Sequence, residues 1–264
     1  MDKMRLLARW EYKPVNIYRG YAGRTLYVNI SNFSFEERPV SEDMKEKFIG
    51  GRGFGLKLLW DAVKDTTKWN DPENEIVISG GPLCGITQYP GSGKCYTVFI
   101  SPLTEQTYDS NAGGYFGPLL KFSGWDALEI QGKADRDIVV FIDGDNNRVE
   151  IYESPFEEVN AVTVTEALHE YFAEDEEDKR NISVVSTGKG AENSYWGCLN
   201  MSFYDLRRKT PRLKQAGRGG GGTVFRDKKL AAIVVKKRGI GPSSNNPADL
   251  TTLQRVGLKL HKEI

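Results

Sequence analysis

A large polyanion is held by backbone N–H groups that point at it, by glycines that let the main chain come close, and by a few fixed cations. Three separated segments of the chain have that composition. Pro90-Gly91-Ser92-Gly93-Lys94 places two glycines before a lysine, whose ammonium offers a compact point charge to a phosphate. Ser110-Asn111-Ala112-Gly113-Gly114-Tyr115-Phe116-Gly117 sets a glycine pair just ahead of a predicted helix, where free amides and the helix dipole favour an anion and the Asn111 amide can meet a heterocycle edge. Lys214-Gln215-Ala216-Gly217-Arg218 runs into the four glycines Gly219 to Gly222, an entropically costly stretch kept where little else fits. Taken singly, each has a plainer reading: a common turn, a glycine-entered helix cap, a flexible linker. None is a nucleoside triphosphate loop, because GxxxxGK followed by Ser or Thr is absent.

Elements to position these segments are legible along most of the chain. Arg24 to Ile30 and Phe33 to Glu37 alternate as a hairpin; Ser41 is a helix start, and Phe54 to Val63 carries Leu58, Leu59 and Ala62 at helical spacing. Glu75 to Ser79 and Cys95 to Ser101 read as strands around a long glycine- and proline-rich loop, and Pro102 to Gly114 reads as a second loop. A helix follows at Tyr115 to Phe122, then strands at Ala127 to Gln131, Ile138 to Asp143 and Arg148 to Tyr152. Thr163 to Phe172 is a predicted helix, which places His169 beside Glu170 on its surface; the acidic run Glu174 to Asp178 reads as a solvated face. Ile182 to Ser186, Tyr195 to Met201 and Ala231 to Lys236 complete the strands, with a basic, glycine-rich connection at Arg207 to Gly222. The pattern predicts an α+β fold with two largely antiparallel sheets and flanking helices over residues 1–239; residues 240–264 form a linker and a helical tail, the expected start of a helical region.

The bulk composition narrows the partners. The chain has 264 residues, 39% of them hydrophobic and 27% charged, with 36 basic and 36 acidic side chains. A net charge of zero gives no global attraction to nucleic acid or membrane, so any polyanion site must be local. No apolar run reaches the roughly 20 residues of a membrane helix, and the first residues lack a secretory signal pattern, which predicts a cytoplasmic protein. Cys84, Cys95 and Cys198 are odd in number and widely spaced, and so are expected as reduced thiols.

Several ordered blocks resemble the aldehyde ferredoxin oxidoreductase family. They are Ile49-Gly50-Gly51-Arg52-Gly53, Ser79-Gly80-Gly81-Pro82-Leu83-Cys84-Gly85, Ser101-Pro102-Leu103-Thr104, Asn111 to Gly117, Leu120 to Ala127, Gly188-Lys189-Gly190-Ala191-Glu192-Asn193 and Ala216 to Gly220. The resemblance covers about Ala22 to Lys237 and implies a saddle-shaped amino-terminal domain carrying a tungsten or molybdenum bis-pyranopterin. Carried over by position, Lys94, Asn111, Ala112 and Gly113 fall on one pterin-contacting segment, and Lys214, Gln215, Gly217 and Arg218 on the other. Lys94 and Lys214 stand where the best-known aldehyde enzymes have arginine, which turns bidentate phosphate contacts into single ones, and Phe203 to Lys209 departs from the family pattern.

What the resemblance implies chemically is oxidation of aldehydes to carboxylic acids, with electrons passed through a [4Fe–4S] cluster to ferredoxin or another electron-transfer subunit. A cluster generally needs four cysteine thiolates, and three scattered ones do not supply it. The cluster is therefore expected on a second polypeptide with helical cluster-binding domains, and this chain is expected to be inactive alone. No catalytic residue is evident, since His261 lies in the tail. A non-catalytic scaffold that keeps the fold without the cofactor is the alternative, and an anion-binding module for another phosphorylated ligand is a third reading.

Overall fold

The computed structural model describes residues 4–157 and 160–264. Among them thirteen strands run along the chain: β1 Leu6–Glu11, β2 Arg24–Asn29, β3 Ser34–Pro39, β4 Ile76–Ser79, β5 Cys95–Ile100, β6 Thr107–Ala112 and β7 Ala127–Gln131. β8 Ile138–Asp143, β9 Arg148–Glu153, β10 Ile182–Ser186, β11 Leu199–Asp205, β12 Thr210–Ala216 and β13 Leu230–Lys236 follow. The helices are α1 Glu42–Phe48, α2 Arg52–Ala62, α3 Phe116–Phe122, α4 Ala161–Phe172, α5 Gly221–Asp227 and α6 Leu250–Glu263. The strands form a seven-stranded sheet, β1-β9-β8-β13-β10-β11-β12, and a six-stranded sheet, β3-β2-β7-β4-β5-β6. Each is antiparallel except for one parallel pair, β8 with β13 and β2 with β7, so the α+β expectation is met.

One core joins the two sheets. Leu26, Val28, Ile76, Ile78, Leu128 and Ile130 of the six-stranded sheet belong to the same buried cluster as Ile138, Val140, Ile142, Ile233 and Val235 of the other. Between them lie Phe116, Leu119 and Leu120 of α3 and Val224 and Phe225 of α5. The alternate residues of β8, Val139 and Phe141, point the opposite way, into a second cluster with Val164 and Leu168 of α4. A continuous apolar run in β8 thus reflects a strand buried on both faces. α2 covers the outer side of the six-stranded sheet, where Leu59 packs on Val77, Val98 and Ala127.

Local signals explain the elements that the sequence announces. Ser41 caps α1 by accepting the Met44 N–H at 3.1 Å, and Asn160 caps α4 by accepting the Thr163 N–H at 3.0 Å. Four expectations change. Residues 102–114 are not loop throughout, because β6 pairs along its length with β5. The Arg207 to Gly222 connection contains β12 and the start of α5, and the strand expected from Tyr195 begins at Leu199 and runs to Asp205. β1, which the sequence does not announce, pairs with β9. Lastly, the acidic run is not wholly solvated: Asp178 is buried and joins Arg238 at 2.6 Å and Lys236 at 2.7 Å, which hold its carboxyl well below the usual carboxylate range.

The residues after Gly239 lie against the body. Asn245 is buried and donates to the Pro82 carbonyl at 2.8 Å, and Gln88 donates to the Pro242 carbonyl at 3.2 Å. α6 approaches the 80–94 loop so closely at Gly257 that a Cβ there would stand 1.8 Å from the Gln88 carbonyl oxygen.

Candidate functional site

β6 is the last strand of one sheet and β12 the last strand of the other. Their edges meet at a cleft of about 670 Å³ lined by Thr107, Tyr108, Asp109, Ser110 and Asn111 from β6, by Gln215, Gly217 and Arg218 from the end of β12, and by Arg52 at the start of α2. A hydrogen bond closes the junction: the Arg218 N–H donates to Ser110 Oγ at 3.2 Å. The pairing of Cys95 with Ala112 carries Lys94 to the β6 end. There its ammonium donates to Asn111 Oδ1 at 3.0 Å. Gln215 is steadied by its amide, which donates to Asn200 Oδ1 at 3.3 Å.

The three segments singled out in the sequence therefore come together, although not every residue in them faces the cleft. Lys94, Asn111, Lys214, Gln215, Gly217 and Arg218 are exposed at or beside it, and Gly113 is half-buried. The Lys214 ammonium sits 5.7 Å from the Phe203 ring centroid, and a Cβ on Gly113 would lie 3.8 Å from the Lys214 side chain. Ala112 is buried in the core, so any contact it makes with a ligand runs through its main chain. Arg52, which spacing alone did not mark as a site residue, bonds Asp109 Oδ2 at 3.0 Å and lies 5.3 Å from the Tyr96 ring centroid. An arginine set between glycines at Gly51 and Gly53 was the available signal. Among the described residues Asp109 is the one carboxylate lining the cleft, against Arg52 and Arg218, with Lys94 and Lys214 at its rim.

The glycine run has a different cause from the one its composition suggests. A Cβ on Gly219 would stand 2.4 Å from the Tyr108 ring, on Gly220 2.3 Å from the Tyr195 carbonyl oxygen, on Gly221 2.7 Å from the Phe99 ring, and on Gly222 2.5 Å from the Cys198 carbonyl oxygen. All four are buried, because here the chain dives between the sheets as α5. Gly217 differs, since a Cβ there would find nothing nearer than 4.0 Å and would stand in the cleft. The helix after Gly113-Gly114 offers no anion seat either. α3 enters the core with six of its seven residues buried, and the Tyr115 N–H already donates to the Ser202 carbonyl at 3.3 Å.

Other groups are inert in this setting. His169, expected at the surface, is 1% exposed between Ser202 Oγ at 2.8 Å and the Lys179 carbonyl at 3.1 Å. Burial lowers its pKa to about 4 and keeps it neutral. Cys84 and Cys95 are buried free thiols; burial raises the first to about 11 and pushes the second up as well. Cys198 is half-buried and also free. Among the described residues, no three His, Cys, Asp or Glu side chains cluster as metal ligands, and no helix is long and apolar enough to cross a membrane.

A bis-pyranopterin fits this cleft on structural grounds. The donors are amides and cations suited to phosphates, and the glycines at 113 and 217 leave room that a side chain would fill. A metal held by the cofactor's own sulfurs needs no ligand set from the protein.

Known proteins show the same arrangement. The aldehyde ferredoxin oxidoreductase N-terminal domain model matches residues 25–237. A tungsten-containing aldehyde ferredoxin oxidoreductase of Pyrococcus horikoshii is 35% identical over 82% of this chain, and an aliphatic sulfonate oxidoreductase WOR-like subunit of Pyrococcus furiosus is 30% identical over 89%. Those matches span 33% and 37% of the two relatives, so the chain covers about a third of their length. Among solved structures, the active-site complex BamBC of benzoyl coenzyme A reductase, bound to 1,5-dienoyl-CoA, superposes with a TM-score of 0.70 at 27% identity over 83% of this chain and 31% of that one. Sequence and fold agree: this chain belongs to the aldehyde ferredoxin oxidoreductase family and carries its N-terminal domain.

Proposed function

We propose that the cleft between β6 and β12 cradles a tungsten or molybdenum bis-pyranopterin, and that the chain is the cofactor-holding part of an aldehyde-oxidising enzyme. The observation that carries this reading is the convergence of two sheet edges on one cationic cleft with a glycine on each side. Arg218 and Lys94 meet phosphate oxygens, Lys214 adds charge at the rim, and Asn111 and Gln215 orient a heterocycle through their amides. The main chain at Ala112, Gly113 and Gly217 gives close approach. Arg52 is held by Asp109 and shapes the wall. When bound, the metal centre supplies two-electron oxidation of an aldehyde to a carboxylic acid, while the protein supplies binding and orientation.

Electron removal then requires a [4Fe–4S] cluster and ferredoxin or a related carrier. Two of the three cysteines are buried and none forms a cluster motif, so the cluster belongs on protein outside these 264 residues. In our reading this is a partner polypeptide in a cytoplasmic complex, without which the domain is inactive. The names of the relatives, one a subunit and one from a two-component complex, support an assembly.

The test is metal analysis and pterin fluorescence on protein isolated from its native host with its partners, compared with Asn111→Ala and Arg218→Ala. We expect tungsten or molybdenum and pterin to copurify, and each variant to retain about tenfold less, in line with loss of a charge-assisted contact. Lys94→Arg should retain more. A metal-free, pterin-free preparation that is fully active overturns the reading, and variants that bind the cofactor as wild type do favour a scaffold.

A further inference from the structure

A second cavity, of about 640 Å³, lies on the other side of α2, bounded by α1, β3, β4 and β7. Its walls are apolar at Met44, Phe48, Leu58 and Ala62, and Glu75, Glu129 and Gln131 also line it. Glu129 is fully engaged: Thr25 Oγ1 donates to one oxygen and Arg38 bonds the other at 2.7 Å. Glu75 is not. It is 0% exposed, and neither carboxyl oxygen has a hydrogen-bond partner. Leaving a buried carboxyl without a partner costs several kcal/mol as a charge, and removing the cost requires either a proton or a donor that enters the cavity.

The charges that face Glu75 are otherwise paired in place. Lys57 bonds Asp61 on α2, Asp43 on α1 meets Lys47 at 2.8 Å, and Arg38 on β3 serves Glu36 and Glu129. Lys228, just after α5, is spent on the Gly132 carbonyl at 2.8 Å and the Pro72 carbonyl at 3.3 Å. No third carboxylate joins Glu75 and Glu129 in a metal-ligand group among the described residues. An apolar-walled cavity with one unsatisfied acid at its floor has the make-up of a small-molecule site.

We propose that this cavity binds a small organic amine, its ammonium donating to Glu75 and its apolar body lying against Met44, Phe48, Leu58 and Ala62. The site is separate from the cofactor cleft and does not depend on that reading. Without ligand, burial and the neighbouring Glu129 push the Glu75 pKa well above the ordinary carboxyl range, so Glu75 carries a proton. An arriving ammonium favours the carboxylate and displaces that proton. Affinity must therefore rise with pH until Glu75 ionises unaided, and then level off.

The experiment is calorimetric titration of the purified chain with benzylammonium, and with benzyl alcohol as its uncharged counterpart, in two buffers of different ionisation enthalpy. We expect saturable benzylammonium binding with proton release, at least about tenfold tighter than the alcohol, and about tenfold weaker in Glu75→Gln. Ala62→Phe, which narrows the cavity while keeping the acid, should abolish binding, and circular dichroism reports that both variants fold. Equal binding of amine and alcohol, no proton release, or affinity unchanged in Glu75→Gln overturns the proposal, as does the absence of saturable binding to a folded wild-type chain.

Discussion

Single residues in this protein owe their chemistry to depth more than to type. Lys94, Lys214 and Arg218 keep their charge because they stand in water at the cleft, whereas His169 is neutral because Ser202 and Lys179 enclose it. With a folded pKa of about 4 against an ordinary 6.5, His169 takes up a proton more readily in the unfolded chain than in the folded one. Its effect is thus absent above about pH 7 and removes stability as pH falls from 6.5 toward 4, by up to roughly 3 kcal/mol. Urea denaturation at pH 7.5, 6 and 5 should show this loss, and His169→Gln should flatten it even though the variant is weaker at neutral pH. Lys94, Asn111, Gly217 and Arg218 were legible from composition and order, because a phosphate seat has few chemical solutions. Arg52 and His169 were not, since pairing with Asp109 and enclosure by Ser202 arise across 57 and 33 residues of sequence, respectively.

Elements buried on both faces announced themselves, and elements at the margins did not. β4, β8, β10 and β13 are apolar runs; β1, β6 and β12 are mixed or polar, and all three are terminal strands of their sheets. An edge strand has one pairing partner and a solvated flank, so periodicity is weak and charge is favoured there. That two such edges build the cleft explains why its location was inferred from loops when it consists largely of strand. The glycine run separates packing from binding in a testable way. Gly220→Ala meets both a positive φ of 74° and the Tyr195 carbonyl, and should cost at least about 2 kcal/mol, lowering Tm by roughly 5 °C. Gly217→Ala should change Tm by less than about 2 °C, yet reduce cofactor retention, because its methyl enters only the cleft. Calorimetric melting with pterin fluorescence on the two variants checks both outcomes.

At the scale of the whole molecule, one hydrophobic centre unites two sheets, but their outermost strands β6 and β12 meet mainly through side chains and the single main-chain contact at Arg218. Facing strands without a shared ladder leave amide hydrogens with water as their partner. Whatever fills the space between them acts as a rivet. Hydrogen–deuterium exchange should then slow selectively along 107–112 and 210–218 when the cofactor is present, and leave β8 and β13 unchanged because they are already protected. Release of the occupant demands that the two margins breathe apart, so departure becomes a local opening event whose rate is set by the protein's own elasticity rather than by diffusion.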